Sequence, residues 1–168
     1  WKELKQNINK VANFFENQGI RKGDNVALLI GNRPEIIELM FGIVKMGACV
    51  VPLSGLLTQD QITLLVNNSK VKSFVVDNEF TSLVSSELSD FENIEKDKLF
   101  FLGGEFDVWE KIKNEKEEYT TEYKCNPSDN FNIIYSSGTT GVPKGIVQTH
   151  RARSHWATSN AIEMSFSS

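Results

Sequence analysis

The amino-acid sequence predicts an α/β fold in which a mainly parallel sheet is flanked by helices. Short, continuous apolar runs, typical of buried parallel strands, alternate with longer segments whose apolar residues recur at helical spacing. After a first helix, the order over the first half of the 168 residues is strand, helix, strand, helix, strand. This is the order of repeated βαβ units, which place helices on the faces of a parallel sheet.

The opening elements are predicted from spacing and from stop signals. A first helix is indicated by apolar residues one turn apart, with Gly19 after them as a stop. The apolar residues are Leu4, Ile8, Val11, Ala12 and Phe15. Residues 25–30 form an apolar run that predicts a buried strand. A helix over 34–46 follows, with Pro34 in its first turn and Gly47 at its end.

A second crossover continues the pattern. Residues 48–53 predict the next strand. Thr58 followed by Gln61 is a capping-box signal, so a short helix is expected over 59–68. Residues 73–76 predict a third strand.

The second half is interpreted mainly from composition. Residues 81–98 are rich in Ser, Asp, Glu and Lys, which predicts a surface helix and loop with a solvated, charged face. Residues 99–102 predict a strand, and the charged residues 110–118 predict an exposed helix end or linker. The last predicted elements are a turn over 126–129, strands over 131–135 and 145–150, and a helix over 151–166.

Composition excludes several classes of protein and partner. With 40% hydrophobic residues, 24% charged residues and a net charge of −4, the chain has no broad attraction for nucleic acid or anionic membranes. Its apolar runs are too short to span a bilayer, and we expect neither a membrane span nor secretion. Cys49 and Cys125 have no disulfide or metal spacing, so a reducing cytoplasm is expected. The start at Trp1, without methionine, leads us to expect a piece of a longer protein.

The most informative stretch is 133–150, where an apolar run breaks into hydroxyls and glycines, then a lysine, and then becomes apolar again. Gly138 and Gly141 allow backbone angles closed to other residues, so several N–H groups can point at one anion. Pro143 stiffens the turn before Lys144, whose side chain supplies a mobile positive charge. The hydroxyls able to donate to an anion or to contact its metal ion belong to Ser136, Ser137, Thr139 and Thr140. This composition predicts a phosphate-binding loop.

The context of the lysine excludes a Walker-type loop. That loop needs a glycine directly before the lysine, a Ser or Thr directly after it, and a helix that begins there. Here Pro143 precedes Lys144 and Gly145 follows it. The run after Gly145 is rich in β-branched residues and predicts a strand, so we expect the loop to join two strands.

The string from Tyr135 to Gly145, YSSGTTGVPKG, closely resembles the AMP-binding signature of the adenylate-forming enzymes: acyl-CoA synthetases, luciferases and peptide-synthetase adenylation domains. The resemblance continues upstream in the strings GDNVA, NRPE, KMGA and VPL at 23–27, 32–35, 45–48 and 51–53. Residues 1–168 therefore resemble part of the large N-terminal AMP-binding domain of such an enzyme, with the phosphate-binding loop over 135–145. The small C-terminal domain that carries the family's catalytic lysine is not contained in this sequence.

The resemblance implies an ATP-dependent ligase of the acyl-CoA synthetase type. Such an enzyme joins a carboxylate, here a fatty or other small acid, to the α-phosphate of ATP, releases pyrophosphate and passes the acyl group to CoA. The residues implied in binding the ATP phosphates, which Mg²⁺ bridges, are Ser136, Ser137, Gly138, Thr139, Thr140, Gly141 and Lys144. Lys144 is expected to act as an electrostatic clamp, so no catalytic residue and no protein metal ligand is assigned. The isolated chain is expected to hold nucleotide weakly and to be inactive.

Alternatives to this enzyme remain open at the level of sequence. One is a stand-alone nucleotide-binding or interaction module without catalysis, and another is a relative of the acyl-AMP ligases or peptide synthetases. The intact Lys144 and loop hydroxyls favour the enzyme. A partial α/β domain can also expose sheet edges or an apolar face, which predicts self-association.

Other polar residues are interpreted as structural. His150 and His155 do not share a helical face on which they could bind zinc, and His150 is expected to be structural. Arg151 and Arg153 could approach phosphates, although exposed arginines at a helix start are commoner. Asn32 and Arg33 follow the first predicted strand, where open α/β sheets bind ligands, yet a turn that leads into a helix is the favoured interpretation.

Overall fold

The structure, a computed structural model, describes residues 1–84, 88–121, 123–136 and 143–165. The α-helices are α1 (Lys2–Asn17), α2 (Glu35–Lys45), α3 (Gln59–Asn68), α4 (Val108–Lys113) and α5 (His150–Glu163). The strands are β1 (Asn25–Leu29), β2 (Cys49–Pro52), β3 (Val71–Asp77), β4 (Leu99–Leu102), β5 (Asn130–Ser136) and β6 (Lys144–Thr149). Within the described ranges, no helix is both long enough and apolar enough to cross a bilayer.

The strands form one sheet of six in the order β4-β3-β1-β2-β5-β6. Every neighbouring pair is parallel except β5 and β6, which pair antiparallel. The predicted α/β fold with a mainly parallel sheet is therefore confirmed. The antiparallel pair also confirms that the glycine- and hydroxyl-rich loop joins two strands.

Both faces of the sheet are covered along its central strands, whose alternate residues point to opposite sides and pack into two apolar clusters. In β1, Val26 and Leu28 pack into the cluster on the side of α1, α2 and α4, whereas Ala27 and Leu29 pack into the cluster on the side of α3. The first cluster is rich in aromatic contacts, such as the edge-to-face pair of Phe14 on α1 with a ring of β4 at 5.2 Å. A continuous apolar run is thus needed in each central strand, which is why these strands could be predicted from the sequence.

Local signals fixed the ends of the early elements. The capping box of α3 is formed as predicted, with Gln61 N donating to Thr58 Oγ1 at 3.3 Å and Thr58 N donating to Gln61 Oε1 at 2.9 Å. Gly19 and Gly47, predicted as helix stops, have φ of +83° and +89°. Residues with a Cβ rarely adopt such angles, so glycine is the natural stop at both places.

The prediction of a surface helix within 81–98 is wrong. The described residues of this region form short 3-10 turns at Asn78–Leu83, Leu88–Asp90 and Lys96–Lys98. Scattered apolar side chains of the segment enter the core, namely Val84, Phe91 and Ile94. The segment is fastened to α3 by Asn67, which donates to the Asp90 carbonyl at 2.7 Å and accepts from Glu92 N at 3.0 Å. Because these apolar residues are few and are separated by charged ones, the composition of the segment did not indicate that they are buried.

The prediction for 110–118 is corrected in part. The helix α4 begins earlier, at Val108, and buries Trp109 and Ile112 against the sheet. The stretch that follows it is held on α1, where Asn13 donates to the carbonyls of Lys116 and Glu118 at 2.9 Å. A linker in this position is therefore tied down by side-chain amides of another helix.

Candidate functional site

The β5–β6 hairpin places the two ends of the predicted phosphate-binding loop side by side. Ser136 and Lys144 are cross-strand partners at the end of the hairpin, and both are exposed. None of the ion pairs in the described part of the chain involves Lys144. Its ammonium group is thus available to an anion at the mouth of the loop. The other predicted phosphate-binding residues, Ser137, Gly138, Thr139, Thr140 and Gly141, lie outside the described residues.

Gly145 has a steric role that the sequence did not reveal. It lies opposite Tyr135 across the hairpin. A Cβ at this position would be 3.2 Å from Cε1 and Cζ of the Tyr135 ring and 3.2 Å from Cγ2 of Ile133. The glycine therefore leaves room for the tyrosine ring to lie across the neighbouring strand.

The Tyr135 ring also ties the hairpin to α3. Its hydroxyl donates to Oδ1 of Asn68 at 2.6 Å and lies 3.4 Å from the carbonyl oxygen of Leu65. Burial raises the pKa of the Tyr135 phenol, so the hydroxyl remains protonated as the donor of this bond near neutral pH. The strand that leads into the loop is consequently fixed both in the sheet and against a helix.

The start of α5 has little capacity left for an anion. His150 N and Arg151 N donate to the carbonyls of Asp129 and Pro127 at 3.0 and 2.9 Å. The amide of Ala152 is capped by the N-cap residue of the helix, because Ala152 N donates to Thr149 Oγ1 at 3.3 Å. These amides are therefore occupied by the protein itself, and the loop remains the candidate anion site.

The side chains of His150 and Arg153 both make structural contacts with aromatic rings. His150 begins α5, because β6 ends one residue before it, and its ring packs edge-on against Phe131 with centroids 5.3 Å apart. The Arg153 guanidinium lies over the rings of Phe131 and Trp156, at 5.6 and 5.4 Å. Among the described residues, no cluster of His, Cys, Asp and Glu is suited to a metal ion.

A second polar cluster lies at the carboxyl ends of β1 and β3. Arg33 donates to both carboxylate oxygens of Glu35, at 3.0 and 2.9 Å, and its Nη1 lies 3.4 Å from both carboxylate oxygens of Asp77. The hydrogen bond from Arg33 lowers the pKa of Glu35, and the same bond raises the pKa of Arg33. Strand order reverses at this point of the sheet, where open α/β folds often bind ligands. Here the position is filled by the protein's own ion pairs, so Arg33 closes the turn that leads into α2.

Comparison with known proteins gives one family. Residues 1–167 match the model of the AMP-binding enzyme family. The crotonobetaine/carnitine–CoA ligase of Escherichia coli O6:K15:H31 is 34% identical over 155 residues, which cover 88% of this chain and 30% of that protein. The chain thus spans about 30% of the length of the curated relatives it matches.

Solved structures share the fold. The anthranilate CoA ligase AuaEII, crystallised with anthranoyl-AMP, has a TM-score of 0.78 and 28% identity, with coverage of 88% of this chain and 28% of that one. The long-chain-fatty-acid–CoA ligase FadD1 of Archaeoglobus fulgidus has a TM-score of 0.87 over 98% of this chain and 32% of its own. At 24% identity, the second likeness concerns the fold alone.

Proposed function

The chain belongs to the AMP-binding enzyme family, and we propose that it is part of a ligase that uses ATP to convert a carboxylic acid into an acyl-AMP and then transfers the acyl group to CoA. The names of its relatives, which are CoA ligases, support an acid–thiol ligase. We propose a fatty or other small carboxylic acid as the substrate. Both cysteines, buried Cys49 and exposed Cys125, are free thiols, which suits the reducing cytoplasm that we propose as its location.

The β5–β6 hairpin is proposed to hold the phosphate end of ATP. The observation that supports this most directly is the exposed Lys144, free of ion pairs with the described residues and opposite Ser136. The proposed phosphate-binding residues are Ser136, Ser137, Gly138, Thr139, Thr140, Gly141 and Lys144. Attack of the carboxylate on the α-phosphate requires stabilisation of the charge that leaves as pyrophosphate, and N–H groups, hydroxyls and one ammonium supply it. Mg²⁺ is proposed to arrive with the nucleotide and to bridge its phosphates.

Calorimetry with Mg-ATP tests this assignment. Replacement of Lys144 by alanine removes a charge-assisted contact, so the dissociation constant is expected to rise about tenfold. Lys72→Ala is the matched control, because Lys72 is also exposed on a strand but lies on β3. Equal weakening by both substitutions, or by neither, would contradict the phosphate assignment. Absence of binding by the unmodified chain would favour an interaction module without nucleotide chemistry.

Residues 1–168 are proposed to be a partial N-terminal domain that does not catalyse adenylation alone, because the family's catalytic lysine belongs to a separate C-terminal domain. The assay is exchange of labelled pyrophosphate into ATP in the presence of a panel of fatty and aromatic acids. We expect no acid-dependent exchange from this polypeptide. Acid-dependent exchange would show that the described domain carries its own catalytic group.

The isolated chain is also proposed to self-associate. Among the residues described in α5 none is buried, and Trp156 of this helix is 60% exposed. On β6, which has β5 as its one neighbour in the described sheet, Ile146 and Val147 are each about half exposed at 49% and 52%. Such surfaces and open strand edges favour association between copies. A monomeric mass by light scattering over a wide range of concentrations would contradict this proposal.

A further inference from the structure

A cavity of about 460 Å³ lies between β2, α3 and β5, where β2 and β5 end. Its volume is in the range of roughly 300–1,000 Å³ that is typical of sites for small molecules. The apolar side chains that line it include Leu53, Leu57, Leu65 and Ile134. Ser136 and Pro143, the described residues that flank 137–142, also line it.

The walls of the cavity are held in place by contacts within the protein. The Gln61 side chain is fixed in the capping box of α3, where its Oε1 accepts from Thr58 N at 2.9 Å. The Tyr135 ring is fixed by its hydroxyl bond to Asn68 and by its contact with Gly145. A cavity with walls already ordered costs a ligand little conformational entropy on binding.

The lining residues also limit the chemistry of the occupant. None of the described residues that line the cavity carries a charge. A phosphate or a carboxylate would lose hydration there without gaining an opposite charge, which is costly. Apolar groups fit the lining, while the Ser54 hydroxyl and the Gln61 amide can pair with one polar group. The lining therefore suits a neutral molecule that is mainly apolar.

We propose that this cavity binds a small neutral molecule with an apolar ring or chain and one hydrogen-bonding group, and that its occupancy changes the affinity of the β5–β6 loop for nucleotide. The coupling follows because a ligand in the cavity contacts Ser136 and Pro143, from which the loop extends. By thermodynamic linkage, nucleotide must change the affinity of the cavity ligand by the same factor. The coupling rests on the proposed nucleotide site, whereas binding to the cavity does not.

The probe for the cavity is 2-naphthol, a neutral bicyclic ring with one hydroxyl, and its binding is measured by saturation-transfer NMR. Leu57→Trp fills the cavity, whereas Leu56→Trp adds the same group at a neighbouring residue that is 96% exposed and does not line it. We expect the first substitution to weaken binding about tenfold or more, and the second to change it less than about twofold. Absence of saturable binding to the unmodified chain, or equal weakening by both substitutions, would overturn the site.

Chemical-shift mapping uses the unmodified chain, so its result does not depend on the correct folding of a variant. Addition of 2-naphthol is expected to shift the methyl resonances of Leu65 and Ile134, which line the cavity, more than that of Ile162, which is 74% exposed on α5. The largest shifts at Ile162 would overturn the location. Mg-ATP titrated with and without saturating 2-naphthol then tests the coupling, for which we expect a change of about threefold in both dissociation constants. If 2-naphthol binds and leaves the affinity for Mg-ATP unchanged, the proposed coupling is wrong, whereas the cavity remains a binding site. If Mg-ATP does not bind at all, the proposed nucleotide site is wrong.

Discussion

Gly42→Ala is expected to destabilise the protein although alanine is the better helix former. Gly42 lies in α2 at its crossing with α1. A Cβ at this position would be 2.3 Å from Cγ1 and 2.5 Å from Cβ of Val11, and 2.9 Å from the carbonyl oxygen of Ile8. Non-bonded carbon atoms in contact need about 3.5 Å or more. The two helices must therefore separate by about 1 Å, because a Cβ and a backbone oxygen cannot turn aside as a side-chain end can.

The expected magnitude follows from two opposing effects. Replacement of glycine by alanine inside a helix favours folding by about 1 kcal/mol. Overpacking of a buried contact costs roughly 1–3 kcal/mol, and the short distances here place the cost at the upper end. The net loss in the free energy of unfolding is thus about 2 kcal/mol, which urea denaturation followed by circular dichroism can measure.

The companion variant is Val11→Ala, which removes the methyl groups nearest to the new Cβ. In this background the contact with Cγ1 is gone, whereas the contacts of the new Cβ with Cβ of residue 11 and with the carbonyl oxygen of Ile8 remain. Gly42→Ala is therefore expected to cost less than in the unmodified chain without becoming neutral, and the double-mutant cycle should give an interaction energy of about 1 kcal/mol. A Gly42→Ala variant as stable as the unmodified chain, or more stable, would refute the close crossing of α1 and α2.

Three further substitutions test other contacts. Burial raises the pKa of Glu38 in the folded protein above that of the unfolded chain, so the free energy of unfolding falls as the pH rises through these two pKa values. Glu38→Gln removes this loss and should raise the melting temperature at pH 7. An equal gain at about pH 3, where the carboxyl is protonated in both states, would contradict this. Tyr135→Phe removes the hydroxyl bond to Asn68 and should lower the free energy of unfolding by about 1 kcal/mol in urea, where an unchanged midpoint would count against the bond. Arg33→Met should lower the free energy of unfolding by about 1 kcal/mol at pH 7. Because Arg33 holds the pKa of Glu35 below its usual value, this loss should shrink below about pH 4, where Glu35 becomes protonated. A loss that persists in acid would point to packing instead.

The first half of the chain could be predicted closely because its signals are local. Buried parallel strands require continuous apolar runs, and glycine stops and the capping box mark helix ends within a few residues of sequence. The predicted helix over 59–68 has the same bounds in the structure. The region after Asp77 could not be predicted this way, because its isolated core residues have no period and Asn67, which holds it, comes from an earlier helix.

The candidate site could be predicted in part for a similar reason. The composition of the loop and the departure from the Walker pattern are properties of consecutive residues, so both can be seen in the sequence, while the assignment to phosphate stays a prediction. The support given by Tyr135, Gly145 and Asn68 depends on hairpin register and on contact with α3, which are not local. One sequence signal could have predicted the contact of Tyr135 with Gly145. An aromatic residue and a glycine lie at equal numbers of residues before and after the loop, and residues placed in this way pair across a hairpin.

Competition against bound Mg-ATP shows whether the β5–β6 hairpin holds the phosphate end of a nucleotide. Inorganic tripolyphosphate with Mg²⁺ carries the phosphates alone, and adenosine carries the base and ribose alone. We predict that tripolyphosphate displaces Mg-ATP from this chain and that adenosine at the same concentration does not. Displacement by adenosine without displacement by tripolyphosphate would contradict the assignment.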